Sequence, residues 1–434
     1  MGRGVSTRRG GRLSALLLPT LAVCGGLALS GAVAAFGLAR LQAEPDAALA
    51  LWPWRAGSHL RLAETALAAN DDAGAAAQAR LALEYDPLSA RGFSLLGRAA
   101  LARGDAARAD VMMAAASRRS LRDAPSQAWI FARALERGDF PAAMAAYDVL
   151  MRRRPDLAER FSPPVHAAAD GLVEARGALA ARLALAPSWR SSFMAAYSRD
   201  SAQPAAVHAL LSSLRTTAAP PTDPEMRAYI DRLVRDRAYV AAYVAWAEHQ
   251  PEAAGSGAGA GAGVSDGGFE REGLRLAPFG WTLTTGDGAS AQRAALPGGD
   301  GFGLQAAVSG GLARRTIAEQ MMVLPRGEHR LGGRARLESG DPDGRLVWTV
   351  RCEGDVRVLL AEVEAPDGAL GAWASFDAAV VVPEGCPAQR LRLEARPGTS
   401  LAPASVLFDD IHVSRPAAGA APGDRVAGRD TGTM

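Results

Sequence analysis

The six histidines of the sequence, at positions 59, 166, 208, 249, 329 and 412, stand far apart, with no pair close along the chain. No His-Glu-x-x-His pattern places two zinc ligands on one helix face, and no Gly-x-Ser-x-Gly elbow exposes a nucleophilic serine. All 48 basic residues are arginine and none is lysine. That composition removes the phosphate-binding lysine of a P-loop, Schiff-base chemistry and the ATP-holding lysine of kinases. Acidic residues abound in the C-terminal third, but carboxylates this common give no specificity for a glycosidase pair. The sequence therefore reads as that of a non-enzyme, with no cofactor demanded by any motif.

Two of the three cysteines, Cys352 and Cys386, lie together in the C-terminal third. In an oxidising compartment two cysteines within one small domain pair, so a disulfide is expected. The compartment follows from the other end of the chain. Arg3, Arg8, Arg9 and Arg12 precede an uncharged, apolar run over 13–39, and only Arg40 follows it before the first acid. About 20 apolar residues cross a bilayer core, and the arginine asymmetry sets the amino terminus inside. The reading is a cytoplasmic basic tail (1–12) and a signal anchor (13–39), with the bulk periplasmic at a bacterial inner membrane. Ala32-Val33-Ala34 leaves a cleaved signal peptide open as the alternative.

The chain has 434 residues, 49% hydrophobic and 22% charged, with net charge +2, which suits folded domains and speaks against a nucleic-acid binder. Residues 42–250 carry a helical pattern with an internal period. Pro53, Pro87 and Pro155 are 34 and 68 residues apart, and Gly104-Asp105 and Gly138-Asp139 are again 34 apart. Small and apolar residues recur in register: Leu62 and Ala75 in 56–89; Leu96, Gly97, Ala109 and Ala116 in 90–123; Ala143 and Tyr147 in 124–157. This resembles the tetratricopeptide repeat, a helix–turn–helix unit whose small residues let paired helices approach. Residues 158–250 stay helical but lose the period, as degenerate repeats or a cap would. Such arrays bind partner proteins, and Arg98, Arg118, Arg119, Arg122 and Arg152 to Arg154 are candidate edge contacts.

A Gly/Ala-rich stretch over 251–268 reads as a linker. From 269 to 415 the hydrophobic period changes to two, in about nine runs such as Arg390-Leu391-Arg392-Leu393-Glu394, separated by turn signals. That pattern predicts a β-sandwich, a jelly roll, followed by a disordered tail over 416–434. The predicted fold class is thus multidomain α plus β: a transmembrane helix, an α-helical solenoid and a sandwich.

Gly267-Gly268-Phe269-Glu270 with Trp281 beyond it, and Phe408-Asp409-Asp410-Ile411-His412-Val413 near the end, resemble the first and last strands of galactose-binding-like carbohydrate-binding modules. The resemblance implies glycan binding, with Trp281 and Trp373 as the aromatic candidates. It also implies a structural calcium, with Glu270, Asp409 and Asp410 as ligands. The function expected from the whole is a membrane-anchored, non-catalytic scaffold of the cell envelope, binding proteins through its repeats and glycan through its sandwich. Surface polysaccharide assembly or export is the setting that order of modules suggests. The alternative is a purely protein-binding adaptor whose sandwich is structural or oligomerising.

Overall fold

The computed structural model describes residues 46, 49, 50, 53–251 and 263–415, apart from 272–275, 287, 300, 311–313, 356, 367 and 401. The chain divides into two compact units, Met1–Trp189 and Arg190–Met434.

In the first unit six helices alternate as antiparallel pairs: α1 (Ala56–Ala68), α2 (Asp72–Tyr85), α3 (Ala90–Ala102), α4 (Ala106–Arg119), α5 (Ala124–Glu136) and α6 (Phe140–Arg153). Two more follow, α7 (Ala158–Gly171) and α8 (Val173–Leu183). The turns repeat as the sequence does. Asn70, Gly104 and Gly138 each take a left-handed conformation, at φ 59, 79 and 73°. The next residue, Asp71, Asp105 or Asp139, sends its amide back to Ala66, Ala100 or Ala134, closing the last helical turn. The same three aspartates then cap the following helices, accepting from the amides of Gly74, Arg108 and Ala142. One short motif thus stops one helix and starts the next.

Packing between paired helices uses the small residues expected. Ala75, Gly97, Ala109, Ala116, Ala143 and Tyr147 are buried, Leu62 and Leu96 are half-buried, and Pro87 and Pro155 sit exposed in the turns. A β-carbon at Gly97 would stand 3.0 Å from Cγ of Met113, so the α3–α4 crossing is as close as a missing side chain allows. Phe131 takes the place of Gly97 in the third pair and is instead packed on Tyr147 and Phe161, at ring separations of 5.9 and 5.7 Å. The unit is an α-helical solenoid whose helix pairs resemble tetratricopeptide repeats.

The second unit opens with four helices, α9 (Arg190–Asp200), α10 (Pro204–Leu214), α11 (Asp223–Arg235) and α12 (Tyr239–His249). Arg190 on α9 and Glu225 on α11 form a buried, two-pronged ion pair, with both N–O distances at 2.7 Å. Tyr243 and Trp246 of α12 pack on Phe279, with ring centroids 5.4 and 5.9 Å apart.

Among the described residues eleven strands follow: β1 (Thr282–Leu283), β2 (Thr285–Gly286), β3 (Ala289–Ala295), β4 (Phe302–Val308), β5 (Arg315–Met322), β6 (Gly327–Ser339), β7 (Leu346–Cys352), β8 (Leu359–Glu364), β9 (Trp373–Val382), β10 (Gln389–Ala395) and β11 (Ala404–Ser414). They form two antiparallel sheets, ordered β1-β5-β10-β7-β8 and β2-β3-β4-β11-β6-β9. Alternate residues of both, among them Trp348, Leu391, Leu304, Phe408 and Val380, fill the core between the sheets. Cys352 at the end of β7 and Cys386 before β10 are joined as a disulfide, with Cα atoms 5.5 Å apart. Strand β3 is the element that alternation does not announce, since its sequence Ala-Ser-Ala-Gln-Arg-Ala-Ala offers no large apolar residue.

One expectation is corrected. The anchor at 13–39 lies outside the described residues, and among the described residues no helix is long and apolar enough to cross a membrane. A span needs about 20 residues, whereas the longest described helices, such as α2 and α4, have 14. The membrane-anchored, single-pass inner-membrane scaffold read from the sequence therefore has no structural support. The single-pass topology from which the periplasmic placement was read is not supported by the described residues. What stands is a helical solenoid and a two-sheet β-sandwich.

Candidate functional site

The six-stranded sheet turns one face to the core and the other outward. Register across it aligns one outward residue from each of five strands. Gln292 of β3 stands opposite Gln305 of β4, Gln305 opposite Leu407 of β11, Leu407 opposite Arg336 of β6, and Arg336 opposite Trp373 of β9. The next outward row runs Asp409, Arg334, Ser375. In an antiparallel sheet directly opposed side chains stand about 5 Å apart, so the rows lie side by side across the sheet, with Leu407 and Asp409 at their middle only 3% exposed.

Hydrogen bonds order this strip. The amide of Gln292 donates to Gln305 at 2.9 Å, and Gln305 donates in turn to the Ser405 hydroxyl at 3.4 Å. At the other end the Arg334 guanidinium lies over the Trp373 ring, 4.6 Å from its centroid. Arg334 also pairs with Asp409 and with Asp410, the latter at 3.0 Å. The Asp409 bond holds the Arg334 guanidinium above its usual range, so its charge is permanent. Fixed amides at one end and a half-buried indole at the other give donors, acceptors and an apolar ring on one surface.

The residues singled out by resemblance divide. Trp373 lies on this strip. Trp281 does not: it is 5% exposed, packs on Phe269 and Trp348, and donates its ring N–H to the Asp266 carbonyl. A ring closed in on these sides has no face for a sugar, so Trp281 is a core residue.

The three carboxylates expected to hold calcium are not assembled for it. Among the described residues no group of three or more His, Cys, Asp or Glu is disposed to hold a metal ion. Asp409, 3% exposed, accepts from Arg334 and from the Asp410 amide; Asp410 faces Arg334; Glu270 accepts from the Phe302 amide. The carbonyls of Phe269 and Glu270, the hard oxygens nearest the chain's approach to the sandwich, both accept from Arg293. A calcium ion at these oxygens would have to compete with the guanidinium groups of Arg293 and Arg334 that already occupy them.

Of the arginines proposed as edge contacts, Arg119 stacks on Phe93 at 4.0 Å, Arg152 pairs with Asp148 and Arg154 with Asp156, while Arg98, Arg118, Arg122 and Arg153 are exposed. Sequence reasoning missed Gln292, Gln305, Arg334 and Arg293. The alternation Arg334-Ala335-Arg336-Leu337 marks an outward basic pair, but nothing in it says which strands lie alongside.

No family model and no curated protein sequence matches this chain. Solved structures do. A CBM4 module matches 35% of this chain over 98% of its own, at 14% identity and TM-score 0.27. The CBM22-1 xylan-binding domain from Paenibacillus barcinonensis matches 36% of this chain over 96% of its own, at 21% identity and TM-score 0.24. The enzymatically active domain of tailspike protein 4 from bacteriophage CBA120 matches 34% of this chain at 15% identity and TM-score 0.25, and the chain spans 20% of its length. Likenesses this low assign no ligand and no activity here.

Proposed function

We propose that this chain is a non-catalytic binding protein whose sandwich takes carbohydrate on the outer face of its six-stranded sheet and whose solenoid takes a polypeptide partner. The observation that carries the first half is the row from Gln292 to Trp373. Sugar rings present hydroxyls at their edges and C–H groups on their faces. Ordered amides and an arginine meet the first need, and an indole meets the second. Trp373 has one ring face toward Arg334, so a sugar would use the other face or the ring edge. Support for the second half comes from the repeat architecture, since stacked helix pairs offer an extended surface of the kind that repeat arrays use to bind polypeptides.

Affinity electrophoresis of the full chain through gels containing soluble polysaccharides, with a glycan array alongside, tests the carbohydrate half. Trp373→Ala should weaken the retarding glycan by roughly tenfold or more, and Gln305→Ala by less. No retardation by any glycan, or retardation that Trp373→Ala leaves unchanged, would refute this reading.

A further inference from the structure

The backbone from Asp266 to Arg271 turns sharply before β1. Asp266 and Phe269 both carry side chains in the left-handed region, at φ 48 and 56°, where such residues are reluctant to sit. The Asp266 carboxylate accepts from the amides of Glu270 and Arg271, at 3.0 and 3.3 Å. Burial raises the Asp266 pKa, and those two bonds oppose the shift. The consequence of this winding is that the carbonyls of Phe269 and Glu270 converge. Two converging carbonyls concentrate negative potential and call for a cation.

We infer that Arg293 is the built-in cation of this turn, so that the carbonyls of Phe269 and Glu270 need no metal ion to hold them. Its Nε donates to the Phe269 carbonyl at 2.7 Å and its Nη2 to the Glu270 carbonyl at 2.9 Å. The guanidinium plane rests on the Phe302 ring, 3.1 Å from the centroid, an arrangement suited to a delocalised cation. Phe302 begins β4, and its amide donates to the Glu270 carboxylate at 3.1 Å. Arg293 itself lies on β3, paired opposite Leu304 of β4. One guanidinium therefore ties the turn to the β3–β4 hairpin. Beside it the Gly267 carbonyl accepts from the Ile411 amide of β11. The turn is thus tied to the β3–β4 hairpin by a side chain of the protein itself and to β11 by a backbone bond.

Hydrogen–deuterium exchange on the full chain, read on peptides covering 263–271 and 298–308, tests this. In the unaltered protein neither EDTA nor millimolar calcium should change protection there. Arg293→Ala should raise exchange of the Glu270, Arg271 and Phe302 amides about a hundredfold, tenfold for each of the two charge-assisted bonds lost. Arg293→Lys should keep most of the protection, and Arg293→Gln, which keeps donors but no charge, should not. Protection that falls with EDTA or rises with calcium overturns the inference. So does an Ala variant that exchanges like the unaltered protein, or a Gln variant that matches the Lys variant. The EDTA and calcium arms need no substitution, so they decide the question even where a variant fails to fold.

Discussion

Replacing Glu225 by glutamine removes the charge that faces Arg190 while keeping the shape of the side chain. The two side chains are 3 and 7% exposed, so neither can turn to water. After the change Arg190 keeps the carbonyls of Ala219 and Pro220, at 2.8 and 3.1 Å, and loses the charge of Glu225. Breaking a buried pair on one side costs about 3–5 kcal/mol, because the remaining charge stays desolvated. For a unit of this size that corresponds to a fall of about 6–20 °C in the unfolding midpoint. Arg190→Met alone should cost a similar amount, since it leaves the Glu225 carboxylate buried. Combined as Arg190→Met with Glu225→Leu, the changes should cost far less than their sum. Part of the loss remains, because Glu225 also accepts from the Thr222 amide at the start of α11. Urea titrations of the four proteins, followed by circular dichroism, measure the coupling, expected at about 3 kcal/mol. Costs that add to within about 0.5 kcal/mol would show that the pair is not desolvated, and the reasoning would fail.

Further outcomes follow from other contacts. Cys352 and Cys386 are 34 residues apart, so reducing their bond should cost the sandwich about 4 kcal/mol in the chain-entropy model, visible by calorimetry. A thiol count on the denatured, unreduced chain should find one reactive cysteine, Cys24, out of three. Gly97→Ala should be near neutral in urea unfolding, since better helix propensity offsets the shift forced on the flexible Met113. Gly97→Leu should instead cost about 1–3 kcal/mol, as overpacking does. Burial pushes the hydroxyls of Tyr147 and Tyr229 up to about 12 from 10. Both groups are held neutral in the fold, so their contribution is complete below pH 10 and lost as pH rises toward 12. Urea midpoints should therefore fall across that range, and Tyr147→Phe should flatten the fall.

Much of the architecture is written locally. The 34-residue spacing of Asn70, Gly104 and Gly138, each followed by aspartate, states where helices end and begin, because a left-handed residue and an N-cap act on neighbouring backbone groups. Alternation locates most strands for the same reason: the side-chain period of two is a property of the strand itself. Strand β3 escapes, since its small residues are buried by neighbours rather than by their own hydrophobicity. The candidate site was legible only in part. Trp281 and Trp373 look alike as tryptophans near strand ends, and burial alone separates the core residue from the surface one.

By itself, then, the sequence determined the repeat, the change from helical to strand period and the absence of catalytic motifs, all of which depend on residues close along the chain. Tertiary structure alone decided which side chains share a surface. Gln292 and Trp373 are 81 positions apart and meet on one strip because β4, β11 and β6 lie between their strands. It decided the cation as well. Nothing local to Arg293 says that the carbonyls of Phe269 and Glu270 will close around it. That pairing exists only once the turn at Asp266 to Arg271, with its two left-handed residues, and the β3–β4 hairpin are brought together by the burial of the core beneath them.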